Sequence, residues 1–330
     1  MRTEFLIGTY TTNTRAEGVY RAAAEGERLT LDGLALRTND PSYLLTDNRG
    51  QRLYWVDEAL DHAEGMLLLG RKEAGTWQIA ASVPTGGQHP CHLALSPDGR
   101  WMAVANYTSG SVAVYALEKD GTPRRVALFA GTGASVHPTR QKGPHAHFVS
   151  FQADELWCCD LGGDLLRRFA RADDHWLELA PLLRFPAGCG PRHMVRVGEL
   201  VYFVTELSAE LYTYALPSGR LCSRVSCVPE GTSGTAAAIK LDCRGRLVIS
   251  HRGGDCVSVF SLESPEQPTR VQTLACGGRD PRDLLPIADG LLCACQTGNV
   301  VTLLSTDQNG CYHLSDSLAL PCPVCLIGIE

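Results

Sequence analysis

Ionisable residues cluster in the stretch from Gly143 to Glu206, and they fall at the ends of strand-like segments. The motifs are GPHAH at 143–147, CDLGGD at 159–164, GPRHM at 190–194 and TEL at 205–207. They supply imidazole, guanidinium and carboxylate groups, which are the groups that acid–base catalysis and anion binding require. Because side chains at equivalent strand ends can converge, we expect these groups to surround one anionic substrate.

The composition favours an all-β protein with many turns. The chain has 330 residues, 33 glycines and 18 prolines, and only 20% of its residues are charged, against about 25% in average globular domains. The formal net charge of −6 includes no run of Lys and Arg. This argues against nucleic acid or an anionic membrane as the main partner, and a small anionic molecule is the expected one. The oligomeric state stays open.

The N-terminal sequence MRTEFLIGTYT lacks the apolar core of a secretory signal, so we expect a cytoplasmic protein. Many of the 14 cysteines lie in strand-like runs such as LWCCDL and LLCACQ. We interpret most of them as buried free thiols. The C-x-x-C pair of Cys322 and Cys325 contains Pro323 and has no second pair at zinc-site spacing, so we interpret it as structural and expect neither metal nor cofactor.

A repeat of about 42–54 residues runs along the chain, which is the length of a four-stranded propeller blade. In each repeat, apolar strand-like runs flank a turn that contains Gly or Asp, as antiparallel hairpins do. The repeats begin near Pro41, Pro90, Pro144, Pro191, Thr235, Pro281 and Pro323. Helical periodicity is not sustained anywhere.

The seventh repeat, PVCLIGIE, ends after one strand, whereas the N-terminal segment FLIGTYT opens three strands that lack an innermost partner. We therefore predict that the two termini share one blade and close the ring, since closure removes unpaired edge strands. The strand of Cys325 should pair with the strand of Leu6. The prediction is a seven-bladed β-propeller with four antiparallel strands per blade, forming one domain over residues 1–330.

The ordered motifs of the chain resemble those of the seven-bladed β-propeller lactonase family. The motifs are NDPSYL, SPDGRWMAVANYTSGSVAVY, RQ at 140–141 before GPHAH, DLGGD, GPRHM, TEL, SHRGGD and GRDPRD. The resemblance covers essentially the whole chain. It implies the propeller fold and either 6-phosphogluconolactonase activity or the activity of a muconate lactonizing enzyme, because the family includes hydrolases and cyclases.

The resemblance implies functional roles for His145, Arg192, Glu206 and Arg252. In the repeat, the first two begin innermost strands and the last two end the following strands. Because an antiparallel strand starts where its partner ends, all four should lie at one mouth of the central channel. The chain departs from the family pattern nearby, where His251 and Cys295 replace asparagines, and this leaves the substrate open.

Each candidate has an expected role at the mouth. We assign catalysis to His145, Glu206 and Arg192, with Glu206 or His145 as the base and an arginine at the developing oxyanion. The expected substrate-binding residues are Arg252, Arg282, His147, Gln296 and Asn106, and Tyr10 and Thr235 are further channel-lining candidates.

Strand alternation predicts side-chain directions at the mouth. We expect only one of His145 and His147 to point into the channel and choose His145. We expect His193, which alternates with Arg192, to point away from the same site. We expect Asp160, Asp164 and Asp255, which lie at glycine-containing turns, to accept backbone hydrogen bonds.

The favoured reaction is hydrolysis of a sugar lactone, with 6-phosphogluconolactone of the pentose phosphate pathway as the leading substrate. No G-x-S-x-G motif precedes a helix, which disfavours a covalent acyl intermediate. The alternative is a muconate-type cyclase that uses the same residues. The second alternative is a non-catalytic propeller scaffold.

Overall fold

The structure is a computed structural model that describes residues 2–47, 49–58, 64–173 and 175–329. These residues form 28 strands. No helix in these ranges is long and apolar enough to span a membrane. The strands are β1 Arg2–Thr9, β2 Gly18–Glu25, β3 Arg28–Arg37, β4 Pro41–Thr46, β5 Arg52–Asp57, β6 Met66–Glu73, β7 Thr76–Pro84, β8 Pro90–Leu95, β9 Trp101–Asn106, β10 Ser111–Leu117, β11 Pro123–Phe129, β12 Ala146–Gln152, β13 Glu155–Asp160, β14 Leu165–Ala172, β15 His175–Arg184, β16 Pro191–Val197, β17 Leu200–Thr205, β18 Glu210–Ala215, β19 Arg220–Ser226, β20 Thr235–Leu241, β21 Leu247–Arg252, β22 Cys256–Ser261, β23 Thr269–Ala275, β24 Pro281–Ile287, β25 Gly290–Cys295, β26 Val300–Thr306, β27 Tyr312–Ala319 and β28 Pro323–Ile329.

The strands form seven antiparallel sheets of four strands. From β4 onward, each four consecutive strands make one sheet, which gives blades 1 to 6, and blade 7 has the order β28-β1-β2-β3. The first strands of the blades, β4, β8, β12, β16, β20, β24 and β28, contact one another in a closed circle. The predicted seven-bladed β-propeller is therefore confirmed.

The ring closes in blade 7, where the two ends of the chain meet. In the β1–β28 ladder, Leu6 lies opposite Ile327 and Gly8 lies opposite Cys325. This is the predicted pairing of the terminal strands. Cys325 also accepts a hydrogen bond at its Sγ from the backbone N of Leu44, 3.3 Å away, so the closing strand is tied to blade 1.

The core lies between neighbouring blades, which explains why the inner strands have apolar residues on both faces. In one core cluster, Leu6 and Leu36 of blade 7 pack against Trp55 and Leu68 of blade 1. Each inner strand is covered on both sides by such clusters, so it has no polar face. The outermost strands lack this double cover, and β3, for example, has many exposed residues.

Most blades begin where the sequence repeat predicted. Six innermost strands start at the predicted residue, but β12 starts at Ala146 and not at Pro144. In blades 1, 2, 4, 6 and 7 the residue before the proline has a positive φ, for example 52° at His89. This left-handed conformation turns the chain into the innermost strand, and the proline that follows has no backbone N–H to leave unpaired.

A β-bulge follows the first residue of the innermost strand in six blades, and in blade 5 it follows the second residue, Ala236. In blade 4, Pro191 pairs with Thr205 and His193 pairs with Val204, so Arg192 has no partner across the ladder. Equivalent shifts occur in every blade. The bulged residues are Ser42, Cys91, His147, Arg192, Ala237, Arg282 and Val324. A bulge breaks strict alternation and re-aims side chains, here at the mouth of the channel.

Below the bulged residues, aromatic rings pack across the channel. The ring centroids of Tyr43 and His92 are 4.1 Å apart, those of His92 and Phe148 are 4.2 Å apart, and those of His92 and His193 are 5.4 Å apart. These rings also line a cavity of about 490 Å³ that includes Lys240 and belongs to the far end of the channel. The packed rings divide the mouth from this far end.

Deletion of residues 321–330 should destabilise the whole ring, because it removes β28. The strand buries Val324, Cys325 and Leu326, and each large apolar side chain is worth about 1.5–3 kcal/mol. Since ~1 kcal/mol corresponds to at least ~2 °C of Tm in large domains, thermal melts should show a fall of about 10 °C or more. A circular permutant opened between Ala74 and Gly75 keeps all strands and is the control, and a truncated protein as stable as the permutant would contradict the closure.

Buried histidines should make the fold less stable in mild acid. Burial lowers the pKa of His251 to about 3 and the pKa values of His92 and His193 well below 6.5. Between those values and 6.5 the unfolded chain binds more protons than the folded chain, so stability is lost as pH falls below about 6.5. Each such group contributes up to about 1.4 kcal/mol per pH unit.

Thermal melts between pH 7.5 and pH 5 measure this effect. His251→Met removes one buried imidazole and should flatten the dependence of Tm on pH, whereas His313→Gln at an exposed site should leave it unchanged. Parallel curves for His251→Met and the parent protein would show that the buried histidines do not cause the acid sensitivity.

Candidate active site

Two equivalent positions in each blade build the mouth of the channel. One is the bulged residue of the innermost strand. The other is the residue that follows the second strand. In six blades its backbone N donates to the carbonyl of the residue preceding the first ladder pair, as Glu206 does to Gly190 at 2.7 Å. The residues at this second position are Tyr10, Glu58, Tyr107, Leu161, Glu206, Gly253 and Gln296. One backbone frame thus presents five residue types at seven positions.

Glu206 lies at the centre of an arginine cluster. Its Oε2 accepts a hydrogen bond from Arg192 Nε at 3.0 Å and forms an ion pair with Arg252 Nη2 at 2.8 Å. Its Oε1 accepts one from Arg140 Nη2. His147 Nε2 lies 3.8 Å from Oε2. The side chain of Glu206 is only 1% exposed, so this carboxylate is compensated entirely by protein groups.

These contacts keep Glu206 ionised. Burial alone would raise its pKa, but the charges of Arg252 and Arg192 outweigh burial and hold the pKa of this carboxyl far below its usual range. Burial and the nearby charge of Arg252 lower the pKa of Arg192 to about 10, which leaves it charged at neutral pH. Glu206 is therefore a permanent anion and a weak proton acceptor.

Arg140 reaches this cluster from the loop before β12. The loop is anchored by Gln141, which is fully buried and donates from Nε2 to the Leu161 carbonyl at 2.8 Å and to Asp164 Oδ1 at 2.9 Å. Arg140 Nη2 also donates to the Tyr107 hydroxyl at 2.9 Å. Its side chain is 39% exposed, so one side of this guanidinium is open to an incoming anion.

His145 is held in one tautomer. Its Nδ1 lies 2.9 Å from the carbonyl oxygen of Tyr107. Because a carbonyl only accepts, Nδ1 carries a proton, and in the neutral imidazole Nε2 then carries the lone pair. The imidazole stacks on the Tyr107 ring with centroids 4.5 Å apart, and its backbone N donates to Asp160 Oδ1 at 2.8 Å. His145 thus presents an acceptor nitrogen beside the Arg140–Tyr107 contact.

The prediction that alternation directs only His145 to the site was wrong. His147 is the bulged residue of β12, and its Nε2 faces Glu206. His193 was also expected to point away, but it lies 3.1 Å from Arg192 Nη1 through its Nε2 and packs edge-on against His147. The bulge explains the error at His193, since it breaks the period of two between Arg192 and His193. At His147, alternation itself puts residues two apart on one face, and His145 lies before the start of β12. Burial and the charge of Arg192 lower the pKa of His147, which is therefore neutral at neutral pH.

A second charged pair lies across the mouth. Arg282 Nη2 is 3.7 Å from Glu58 Oε2, and its guanidinium lies over the Tyr10 ring, 5.1 Å from the centroid. The Tyr10 hydroxyl donates to the same Glu58 oxygen at 2.7 Å. The charge of Arg282 also acts on Arg192. Arg282 and Tyr10 therefore belong to the mouth, as the sequence predicted.

The two remaining predicted substrate-binding residues, Gln296 and Asn106, lie in different environments. Gln296 shares the repeat position of Glu206 and is half-buried, with its backbone N bonded to the Asp280 carbonyl. Asn106, however, is fully buried and donates to Ser111 Oγ at 3.0 Å inside its own blade. The mouth residue of blade 2 is the next one, Tyr107. The prediction for Asn106 was one residue out of register with the repeat.

The three aspartates act as predicted. Asp160 accepts from the backbone N of His145, Gly162 and Gly163. Asp164 accepts from the backbone N of Gly188 and Gly190. Asp255 accepts from the backbone N of Asp280. They fix the loops that lead into the mouth.

Sequence reasoning missed Tyr107, Glu58 and the contact of Arg140. The first two carried a usable signal, because both follow the second strand of a blade as Glu206 does. Arg140 had no corresponding signal in the repeat, because it lies in a loop before the innermost strand. Only the RQ motif marked it.

The mouth has an excess of positive charge. In the described part of the chain, the guanidiniums of Arg140, Arg192, Arg252 and Arg282 share the carboxylates of Glu206 and Glu58. Guanidinium groups bind carboxylate and phosphate through paired hydrogen bonds. The arrangement can therefore bind an anion next to the acceptor nitrogen of His145.

Known proteins resemble the chain over its full length. It is 28% identical to the 6-phosphogluconolactonase of Bacillus subtilis, with 97% of this chain and 96% of the relative covered. The crystal structure of a protein from Lactobacillus plantarum matches with a TM-score of 0.91 at 27% identity, covering 100% of both chains. The periplasmic gluconolactonase PpgL of Pseudomonas aeruginosa matches with a TM-score of 0.88 at 27% identity, covering 100% of this chain and 99% of that one.

The family model agrees with these relatives. The model described as lactonase, 7-bladed β-propeller, matches residues 4–327. This range includes every blade and every residue of the mouth. The chain belongs to the seven-bladed β-propeller lactonase family.

Proposed function

We propose that this protein hydrolyses a negatively charged sugar lactone, with 6-phosphogluconolactone as its substrate. The observation that carries the proposal is the link between His145 and the arginine cluster around Glu206: the His145 ring stacks on Tyr107, whose hydroxyl accepts a hydrogen bond from Arg140. The relative from Bacillus subtilis is named a 6-phosphogluconolactonase. An anionic lactone suits a mouth in which guanidiniums outnumber carboxylates.

His145 is the general base in the proposed mechanism. A water molecule donates a proton to His145 Nε2 as its oxygen attacks the lactone carbonyl carbon. The carbonyl π electrons move to oxygen and form a tetrahedral oxyanion. When the intermediate collapses, the bond from the carbonyl carbon to the ring oxygen breaks, and the ring oxygen takes the proton back from His145. The product is the open-chain hydroxy acid, and no covalent enzyme intermediate forms.

Glu206 organises the cations in this mechanism. Its lowered pKa makes it a poor base, but its two oxygens hold three guanidiniums in fixed directions. Arg192 is only 2% exposed and also donates from Nη1 to the Ala237 carbonyl at 2.7 Å. It therefore serves to hold Glu206. Arg140 and Arg252 are partly exposed and are the groups that meet the oxyanion and the remote anion of the substrate.

The direct test is an assay with purified protein on phosphorylated and unphosphorylated gluconolactone, with muconates alongside. We expect faster hydrolysis than the spontaneous reaction and preference for the phosphorylated lactone. Consumption of muconate without lactone hydrolysis would establish the cyclase instead. Failure of all three substrates would exclude the proposed activity.

His145→Gln should lower kcat by about 10²–10⁴-fold, because it removes the base and leaves an amide of similar size. KM should change little, since His145 does not bind the remote anion. Steady-state kinetics on the best lactone measure both values. His175→Gln, an exposed position in the same blade, is the matched control. A His145→Gln enzyme with the kcat of that control would exclude His145 as the base.

Arg252→Gln should weaken selection of the phosphorylated lactone. A charge-assisted hydrogen bond is worth about 1.5–3 kcal/mol, so the ratio of kcat/KM for the phosphorylated over the unphosphorylated lactone should fall by about 10- to 100-fold. The loss should lie mainly in KM if the contact is made equally before and during the reaction. Arg270→Gln, in an exposed position of the outermost strand of the same blade, should keep the parent ratio. An unchanged ratio in Arg252→Gln would place the phosphate elsewhere.

A further inference from the structure

Three buried thiols meet at the seam between blades 5 and 6. Cys293 and Cys295 lie on one face of β25, and Cys276 directly follows β23. Cys295 Sγ is 3.7 Å from Cys276 Sγ and 3.8 Å from Cys293 Sγ. All three sulfurs lie within 4.8 Å of one another, and the three residues are fully buried. The cluster is outside the arginine mouth and takes no part in the proposed lactonase chemistry.

The spacing of the sulfurs is that of metal ligands. Thiolates around a tetrahedral ion at about 2.3 Å lie ~3.8 Å apart, and those around a trigonal ion lie ~4.0 Å apart. A disulfide would need sulfurs at ~2.05 Å. The three thiols therefore already occupy one face of a coordination sphere, although they come from two blades and from positions 276 to 295.

The loop from Cys276 to Asp280 covers the cluster closely. A Cβ on Gly278 would lie 2.8 Å from Cys295 Sγ, so glycine is needed for this approach. The Gly278 carbonyl is 3.1 Å from Cys276 Sγ, and Thr302 Oγ1 donates to the Cys276 carbonyl at 2.6 Å. Ala275 and Gly277 on either side of Cys276 are exposed. The cluster is therefore buried directly beneath an exposed segment of the chain.

We propose that Cys276, Cys293 and Cys295 form a binding site for one thiophilic d10 metal ion, Zn²⁺ or Cu⁺. Sulfur ligands select such ions and disfavour Mg²⁺ and Ca²⁺, which prefer oxygen. On binding, each thiol loses its proton to solvent and the sulfur lone pair forms the bond to the ion. No oxidation or reduction takes place.

A bound ion would hold the seam that leads into the mouth. The covering loop continues through Asp280, whose backbone N donates to Asp255 Oδ1 at 2.8 Å and whose carbonyl accepts from the Gln296 backbone N. Two residues later it reaches Arg282. The ion is thus a structural element, because it joins blade 5 to the segment that positions Arg282 without touching the substrate.

The test is metal binding by the reduced protein with the exposed thiols removed. Cys243 and Cys311 are exposed, so Cys243→Ser/Cys311→Ser is the reference protein. It is stripped with chelator, desalted and titrated with Cd²⁺ while thiolate-to-metal charge-transfer absorption is followed, and Zn²⁺ and Cu⁺ then compete in separate arms. Native mass spectrometry gives the stoichiometry.

We expect one ion per chain and a higher Tm with metal, since a ligand of the folded state stabilises it. Cys295→Ala in the reference protein should weaken Cd²⁺ binding at least 100-fold and abolish the Tm increase. Cys227→Ala removes an equally buried thiol outside the cluster and should keep both. Equal binding by Cys295→Ala and Cys227→Ala, or no stoichiometric binding by the reference protein, would overturn the site.

If Cys295→Ala does not fold, alkylation of the parent protein gives an independent answer. Mass spectrometry after slow alkylation should show that Zn²⁺ or Cu⁺ protects Cys276, Cys293 and Cys295 but not Cys243. Equal labelling of the three thiols with and without metal would contradict the proposal.

Discussion

The mouth of this propeller depends on the carboxylate of Glu206. Three guanidiniums converge within hydrogen-bond distance of its two oxygens. Without this anion the three positive charges would repel one another in a site where little water screens them. Removing one partner of a buried ion cluster typically costs about 3–5 kcal/mol, because the remaining charges stay buried and uncompensated. Glu206 therefore lets several cations stay charged and aligned before substrate arrives. Such preorganisation is the most effective form of electrostatic catalysis.

The groups around Glu206 come from different parts of the ring. Arg140 lies in the loop between blades 2 and 3, Arg192 and Glu206 belong to blade 4, and Arg252 ends a strand of blade 5. Distances between blades are fixed only if the ring is closed, and β28 closes it far along the chain from these residues. Residues at the two termini thus help to set the geometry of a site they do not touch, which is the support that a multi-element site requires.

The fold could be predicted from the sequence because the blade pattern recurs along the chain. A blade in which one strand is ambiguous can therefore be interpreted from the pattern of the other blades. The site could be predicted only in part. Strand ends located Arg192, Glu206 and Arg252, but the predicted side-chain directions failed at His147 and His193. At His193 the cause is a bulge, which inserts one residue and leaves no clear mark in the sequence. At His147, alternation itself puts residues two apart on one face. Arg140 could not be placed by any periodic rule, since the fully buried Gln141 fixes its loop through tertiary hydrogen bonds.

The same repeat explains how this mouth can be tuned to a substrate without disturbing the fold. At the position after the second strand, the backbone hydrogen bond is the same at Glu58, Tyr107, Leu161 and Glu206, whereas the side chains are carboxylate, phenol or aliphatic. The carboxylates at these positions do not hold their arginines equally tightly. Arg252 Nη2 lies 2.8 Å from Glu206 Oε2, whereas Arg282 Nη2 lies 3.7 Å from Glu58 Oε2. Because the Coulomb attraction weakens with distance, Arg282 gives up less attraction to its carboxylate than Arg252 does when it turns to bind a substrate anion. Selection among anionic lactones should therefore depend on the Arg282 side of the mouth as well, while the more tightly held cluster around Glu206 keeps its geometry.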